Sequence, residues 1–382
     1  MSQRMTGAKS RWLATALVAM ALPLSDGDPL AQQREQFTLR DSEVAIFNLA
    51  GKVELVAGSR AEVVVDVLRG GRDAARLKIE QGPKEGAQTL RVIYPGRQVV
   101  YPGLGSHHRT EVHVAPDGTF GSDWKMLFGM HRRVTIRGSG SGTQAWADLR
   151  IAVPRGQKIR VHHAAGEVMV QNVDGDLTVD HHAGTLEARN TRGSLFLDTG
   201  SGHVTVNDAE GEVRIDTGSG GVEVAGVKGP LLHIDTGSGA VDVSGAEVDR
   251  LVADTGSGGV RLENIRAGSL NVDTGSGSVS VDLAGDVESL VADTGSGSVT
   301  VSAPATLGAE FDIQTGSGRI EVDFPHQSLR VERDHVTGRI GDGRGRIHID
   351  TGSGGVKFYR RLTTSERPSS ILLGLISGPR VG

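Results

Sequence analysis

Leu251-Val252-Ala253-Asp254-Thr255-Gly256-Ser257-Gly258-Gly259-Val260-Arg261-Leu262 returns 19 residues later as Leu270-Asn271-Val272-Asp273-Thr274-Gly275-Ser276-Gly277-Ser278-Val279-Ser280-Val281. Each copy alternates apolar and polar residues, bends at a Gly-rich pentad and alternates again, which is the pattern of two short strands joined by a fixed corner. Asp-Thr-Gly-Ser-Gly begins at Asp198, Asp216, Asp235, Asp254, Asp273, Asp293 and Asp350, and Gln314 opens a variant. The steps as far as Gln314 are 18, 19, 19, 19, 20 and 21 residues. The last gap is 36, twice 18, so one degenerate coil is expected between Gln314 and Asp350, with Leu329 to Val331 as its strand.

A unit with only a few inward side chains cannot bury them alone, so consecutive units must stack and share one apolar axis. Two upstream units fit the same template, with Ile159/Val161 before His162-His163 and Leu177/Val179 before His181-His182. The expected fold is therefore all-β: a single-stranded β-solenoid, or β-helix, of 18–21 residues per coil. Counting the degenerate unit gives 11 coils from Ile159 to Phe358. At a strand spacing of about 4.8 Å the rod is roughly 50 Å long. The second corner varies in length and absorbs the drift, while the constant first corner is expected to need glycines with access to positive φ.

Residues 36–153 alternate in several strands without a regular period, and Asn48-Leu49-Ala50-Gly51-Lys52-Val53 has the form of a coil corner. This region is expected to be an irregular β-rich N-terminal part containing the first coil, with a separate sandwich as the alternative. Residues 154–360 form the regular solenoid and 361–382 a tail or cap. Trp124, Leu127 and Phe128 form a bulky apolar segment outside the pattern, suited to shielding an open end of the rod or to touching a partner.

Arg4, Lys9 and Arg11 precede an apolar run from Trp12 to Leu24, too short to span a bilayer and long enough for the core of a signal peptide. Residues 1–31 are expected to be removed on export, to the periplasm, the cell surface or the medium, leaving no transmembrane span in the mature chain, with an uncleaved N-terminal anchor as the alternative. There is no Cys, so disulfides and thiolate metal sites are excluded. A net charge of −5 with no basic stripe excludes a nucleic-acid footprint.

Repeats of the form apolar-x-apolar-Asp-Thr-Gly-Ser-Gly-x-Val-x-Val, entered through Leu149-Arg150-Ile151-Ala152-Val153-Pro154-Arg155-Gly156, resemble those of a bacterial family. Its members are exported β-strand-repeat proteins of unknown function that carry the label "putative adhesin". The resemblance runs from about Phe37 to Phe358. It implies the solenoid fold and brings no catalytic residues with it.

Asp-Thr-Gly-Ser after an aliphatic residue also resembles the active-site loop of aspartic proteases, where two loops face each other with carboxylates about 3 Å apart. Seven copies at coil spacing predict a row along one edge and not a facing pair. The structural reading gives each Asp to its own corner, accepting hydrogen bonds from the amides that follow. Ca²⁺ is the ion such a row of carboxylates would take. His163 is expected to lie over His181 with Asp180 nearby, donors suited to Zn²⁺. The expected function is a non-enzymatic exported scaffold without a resident cofactor, binding a protein or glycan at the cell envelope. A metal-dependent hydrolase or polysaccharide-cleaving β-helix enzyme is the alternative from another class.

Overall fold

The computed structural model describes residues 34–121 and 131–361. The expected export segment 1–31, the residues Trp124, Leu127 and Phe128, and the tail from 362 onward lie outside the described residues. Among those described, the regular elements are strands, apart from single 3-10 turns at Ala74–Arg76 and Pro102–Leu104.

The alternating segments on either side of each pentad form two parallel ladders. Strands before the corner make the first: Gln157–Ala165, Gly175–Ala183, Leu195–Ser201 and Val213–Ser219 pair in register, and the column continues through Asp235, Asp254, Asp273 and Asp293. Strands after the corner make the second, from Val168–Gln171 through Val204–Glu210 to Val299–Ala303. Period-2 alternation sends every second side chain inward, and Val204, Val206, Val222, Val224, Val241 and Val243 are at most 2% exposed. Each such burial contributes about 1.5–3 kcal/mol. A parallel stack makes that burial depend on both neighbours.

The first corner keeps its length, and the second takes up the extra residues. The pairing of Val260–Thr274 with Val279–Leu283 shifts register between Leu262 and Ile265, where the repeat lengthens. The second corner also holds a column of left-handed residues, Asn172 (φ 56), Asn190 (φ 50), Asp208 (φ 55), Gly226 (φ 68), Gly245 (φ 64) and Asn264 (φ 55). These are the residue types that tolerate that conformation. Conformational stringency was expected at the first corner, and the second shows it as well.

At the C-terminal end the coils are not stacked in chain order. The Asp293 strand pairs with Gly345–Thr351, and Gly345–Thr351 pairs in turn with Ala309–Thr315. The second ladder agrees: Val299–Ala303 pairs with Val356–Arg360, which pairs with Ile320–Asp323. The Asp350 coil is thus inserted between the Asp293 and Gln314 coils. The expected degenerate coil does not exist. Residues His326–Val331 and His335–Ile340 form an antiparallel hairpin, and its second strand closes the first ladder against Ala309–Thr315. Leu329 is 78% and Val331 69% exposed, so neither enters the core. The stack from Ile159 onward holds ten parallel rungs in place of eleven.

The N-terminal end is built by a similar insertion. Glu43–Asn48 and Val53–Ala57 form a coil that lies directly on the 157–171 coil, although about a hundred residues separate them in sequence. Outside this coil run Ala87–Ile93 and Trp146–Val153, both parallel to it. Antiparallel strands Arg34–Leu39, Val63–Gly70 and Lys78–Lys84 complete the layer. A small sheet of Gln98–Val100, Arg109–Val114 and Arg132–Arg137 packs beside it. Val112, Val134 and Ile136 of that sheet belong to the same buried cluster as the rod, so one core runs through both parts.

Candidate functional site

Alternation decides what each pentad residue can do. The residue before Asp is inward, so Asp faces out and Thr faces in. The register places Asp180, Asp198, Asp216, Asp235, Asp254, Asp273, Asp293, Asp350 and Gln314 in one column on the outer face. Strand spacing sets neighbouring carboxylates about 5 Å apart. The paired geometry of an aspartic protease is not what this column forms. Burial raises the Asp254 carboxyl above its usual range, with Asp273 and Asp235 adding to it. Asp293 is raised likewise, by burial and then by Asp273 and Asp350, its neighbours in the inserted order.

The inward column is Asn48, His163, His181, Thr199, Thr217, Thr236, Thr255, Thr274, Thr294, Thr351 and Thr315, none more than 4% exposed. From Thr255 on, these residues close the corner. Thr255 Oγ1 donates to the Gly239 carbonyl at 3.1 Å and accepts from the Gly258 amide at 3.1 Å. Thr274, Thr294, Thr315 and Thr351 repeat both bonds, each linking its own corner to the rung before it in space. The threonine after Asp thus shares in closing the corner, while Asp293 itself accepts a hydrogen bond from the Thr294 amide.

Contact between rungs explains the glycines. A Cβ on Gly258 would stand 1.6 Å from the Gly239 carbonyl oxygen, and one on Gly256 2.5 Å from that of Gly237. The same collision runs up the column from Gly202 to Gly318, following the inserted order Gly297, Gly354, Gly318. Gly202 and Gly220 adopt φ of 140 and 144. The later pentads are not in that region, so close backbone approach, and not positive φ, is what every rung shares.

The corner has two hydrogen-bonding forms. In the early rungs the second glycine donates forward, Gly202 to the Ser219 carbonyl and Gly220 to that of Ser238, both at 3.1 Å. From Gly237 on, the first glycine donates backward, as Gly256 does to the Thr236 carbonyl at 3.0 Å. The early form leaves two consecutive inward atoms, Thr199 Oγ1 and Thr217 Oγ1, buried without a hydrogen-bond partner.

The histidines occupy the threonine column. His163 and His181 are fully buried and stack at 5.2 Å with rings 7° from parallel. His163 Nε2 lies 3.0 Å from the Gly51 carbonyl, the counterpart of the threonine bond to the preceding corner. Burial, aided by the mutual proximity of the two rings, lowers His163 to about 3. Burial likewise lowers His181 to about 4. Asp180 faces outward and meets His162 Nδ1 at 3.1 Å, while His162 stacks on Phe47 at 4.6 Å. His163, His181 and Asp180 are therefore divided between two faces of the sheet. Among the described residues no group of three or more His, Asp or Glu side chains is placed to hold a metal ion.

Asn48 and Tyr94 were not singled out by the sequence. Tyr94 hydroxyl lies 2.8 Å from Asn48 Oδ1 and from the Ala50 carbonyl, and Asn48 Nδ2 donates to the Ala147 carbonyl at 2.8 Å. This network anchors the N-terminal layer to the foot of the polar column. The corner-like Asn48-Leu49-Ala50-Gly51 was the available signal for Asn48; Tyr94 had none.

The model of the Toastrack DUF4097 family matches residues 148–358. No curated protein matches. Three solved structures are similar at 10% identity. One is a "putative cell adhesion protein" from Clostridium sporogenes, covering 86% of this chain and 100% of its own, with a TM-score of 0.19. The second, a "putative adhesin" from Bacteroides fragilis, covers 85% and 96% with a TM-score of 0.31. The third, a "putative lipid binding protein" from Parabacteroides distasonis, covers 85% and 96% with a TM-score of 0.37. Likenesses of this size carry no argument about function.

Proposed function

This chain belongs to the Toastrack DUF4097 family, and from that membership and the corner geometry we propose that it is a non-enzymatic scaffold exported to the cell envelope, where a repetitive side face binds a protein or glycan. The observation that carries the reading is the use made of the pentad. Its threonine and glycines are engaged in bonding and packing one rung to the next, and its aspartates stand in a single outward column. A row of equivalent groups at rung spacing suits multivalent recognition along a rod better than chemistry at one point. Arg214, His233, Asn271 and His348 lie two residues before the column and give that face a mixed, ligand-directed character in place of a uniform charge.

Arg4, Lys9 and Arg11 before the Trp12 to Leu24 run support export. N-terminal sequencing of the mature chain is expected to find residue 32 first.

The test of function is capture of envelope protein and glycan by the full chain and by an Asp235→Asn/Asp254→Asn/Asp273→Asn variant, beside turnover assays on peptide and glycan libraries. Capture weakened in the variant, with no turnover, is the expected result. Turnover that the same substitutions abolish would make the chain an enzyme.

A further inference from the structure

The outer face of the second ladder carries a cavity at its N-terminal end. Trp146–Val153 lies there between an antiparallel neighbour, Val63–Gly70, and a parallel one, Val53–Ala57. Register sets Leu68 beside Asp148; two residues along on the same face, Asp66, Arg150 and Glu54 form a row that Met169 extends. These side chains, with Arg34, Lys52 and Glu167, enclose about 410 Å³.

Three of the four carboxylates around this space have a cation of their own. Asp66 Oδ2 meets Arg34 Nη2 at 2.9 Å, Glu54 Oε2 meets Arg150 Nη1 at 2.5 Å, and Glu167 Oε2 meets Lys52 Nζ at 2.9 Å. Asp148 is the fourth. Its Oδ1 accepts the Lys52 amide at 2.8 Å, and among the described residues it forms no ion pair. Its cross-strand neighbour is the apolar Leu68, whereas the adjacent row sets Arg150 between Asp66 and Glu54. Burial raises the Asp148 carboxyl above the usual carboxylate range, against the opposing pull of the Lys52 amide and ammonium.

A half-buried carboxylate between apolar walls is matched by a group that brings positive charge and N–H donors on a slim apolar stem. A primary ammonium offers three donors on a compact head, where a guanidinium is a broad plane. A hard metal ion would need several oxygen ligands, and Glu54, Asp66 and Glu167 have given theirs to cations. We propose that this cavity binds a primary ammonium group on a short aliphatic stem, the ammonium on Asp148 and the stem between Leu68 and Met169. Free alkylamines and lysine side chains both carry that chemistry. The cavity belongs to the second ladder and the aspartate column to the first, so the inference does not rest on recognition along that column.

Titration calorimetry of the full chain with n-butylammonium chloride tests this, beside n-butanol and N-acetyl-lysine methylamide. Saturable binding of the ammonium is expected, weakened at least about 10-fold by Asp148→Asn, which keeps an acceptor for the Lys52 amide. Leu68→Lys, which brings an ammonium of the chain itself beside Asp148, is expected to abolish binding while the melting temperature stays that of the unaltered protein. Asp235→Asn/Asp254→Asn/Asp273→Asn should bind the amine unchanged, which separates failure at this cavity from failure at the column. Tighter binding of the lysine derivative than of n-butylammonium would make a partner's lysine side chain the ligand, and the reverse order a free alkylamine. Absence of saturable ammonium binding, equal binding of n-butanol, or binding that survives both Asp148→Asn and Leu68→Lys would overturn the proposal.

Discussion

Thr255 and Asp254 are neighbours in one pentad with opposite roles. Thr255→Val removes a hydroxyl that both donates and accepts, stranding the Gly258 amide and the Gly239 carbonyl. Each buried group left unpaired costs about 1–3 kcal/mol. Asp254 is exposed, and burial together with Asp273 and Asp235 disfavours its charged form. Thermal melts at neutral pH should therefore show Thr255→Val clearly destabilised and Asp254→Asn unchanged or slightly stabilised; the reverse order would return the closing role to the aspartate. The buried histidines give a pH dependence of definite sign. Folding lowers His163 to about 3 and His181 to about 4 from an ordinary value of 6.5, so the unfolded chain takes up protons first. Their contribution is intact above about 6.5 and is lost as pH falls toward 4. Threonine fills this column at the later rungs, so His163→Thr/His181→Thr should fold and should flatten the loss of stability between pH 6.5 and 4, read by denaturant titration at several pH values.

At the scale of the strand, the period-2 pattern was legible for every rung that carries a pentad. The pairs Val222/Val224, Val260/Leu262 and Leu270/Val272 are all inward as alternation requires. Alternation fixes which face a residue takes but not which strand lies beside it, and there the reading failed. Leu329 and Val331 have the right spacing for a core strand, yet they sit on the outer strand of a hairpin beyond the last rung. No local rule distinguishes the two cases; the gap of 36 residues fits a hidden coil as well as a hairpin and a return. Leu329→Ser should accordingly shift unfolding free energy by less than about 0.5 kcal/mol. Leu290→Ala, on an interior rung, should cost about 2–5 kcal/mol. Denaturant titration of both variants checks the hairpin directly, and equal costs would restore the hidden coil. The threonine column was also readable in principle, since the residue after an outward Asp must be inward. The two histidines hold the same position one and two rungs before the first threonine.

Across the whole molecule, both ends depart from sequential stacking while the middle obeys it. At the N-terminal end the 43–57 coil waits for residues 157–171 to cover it, and at the C-terminal end the Gln314 coil waits for the Asp350 coil that separates it from Asp293. A solenoid whose units contact only their sequence neighbours can grow from one terminus as it is made. This one cannot finish that way. The 345–360 stretch has to enter the place between two stretches made before it, so the last rungs of the rod remain unlocked until those residues have followed. Such a chain stays threadable late and then shuts from within, like a clasp whose tongue arrives after both of its jaws.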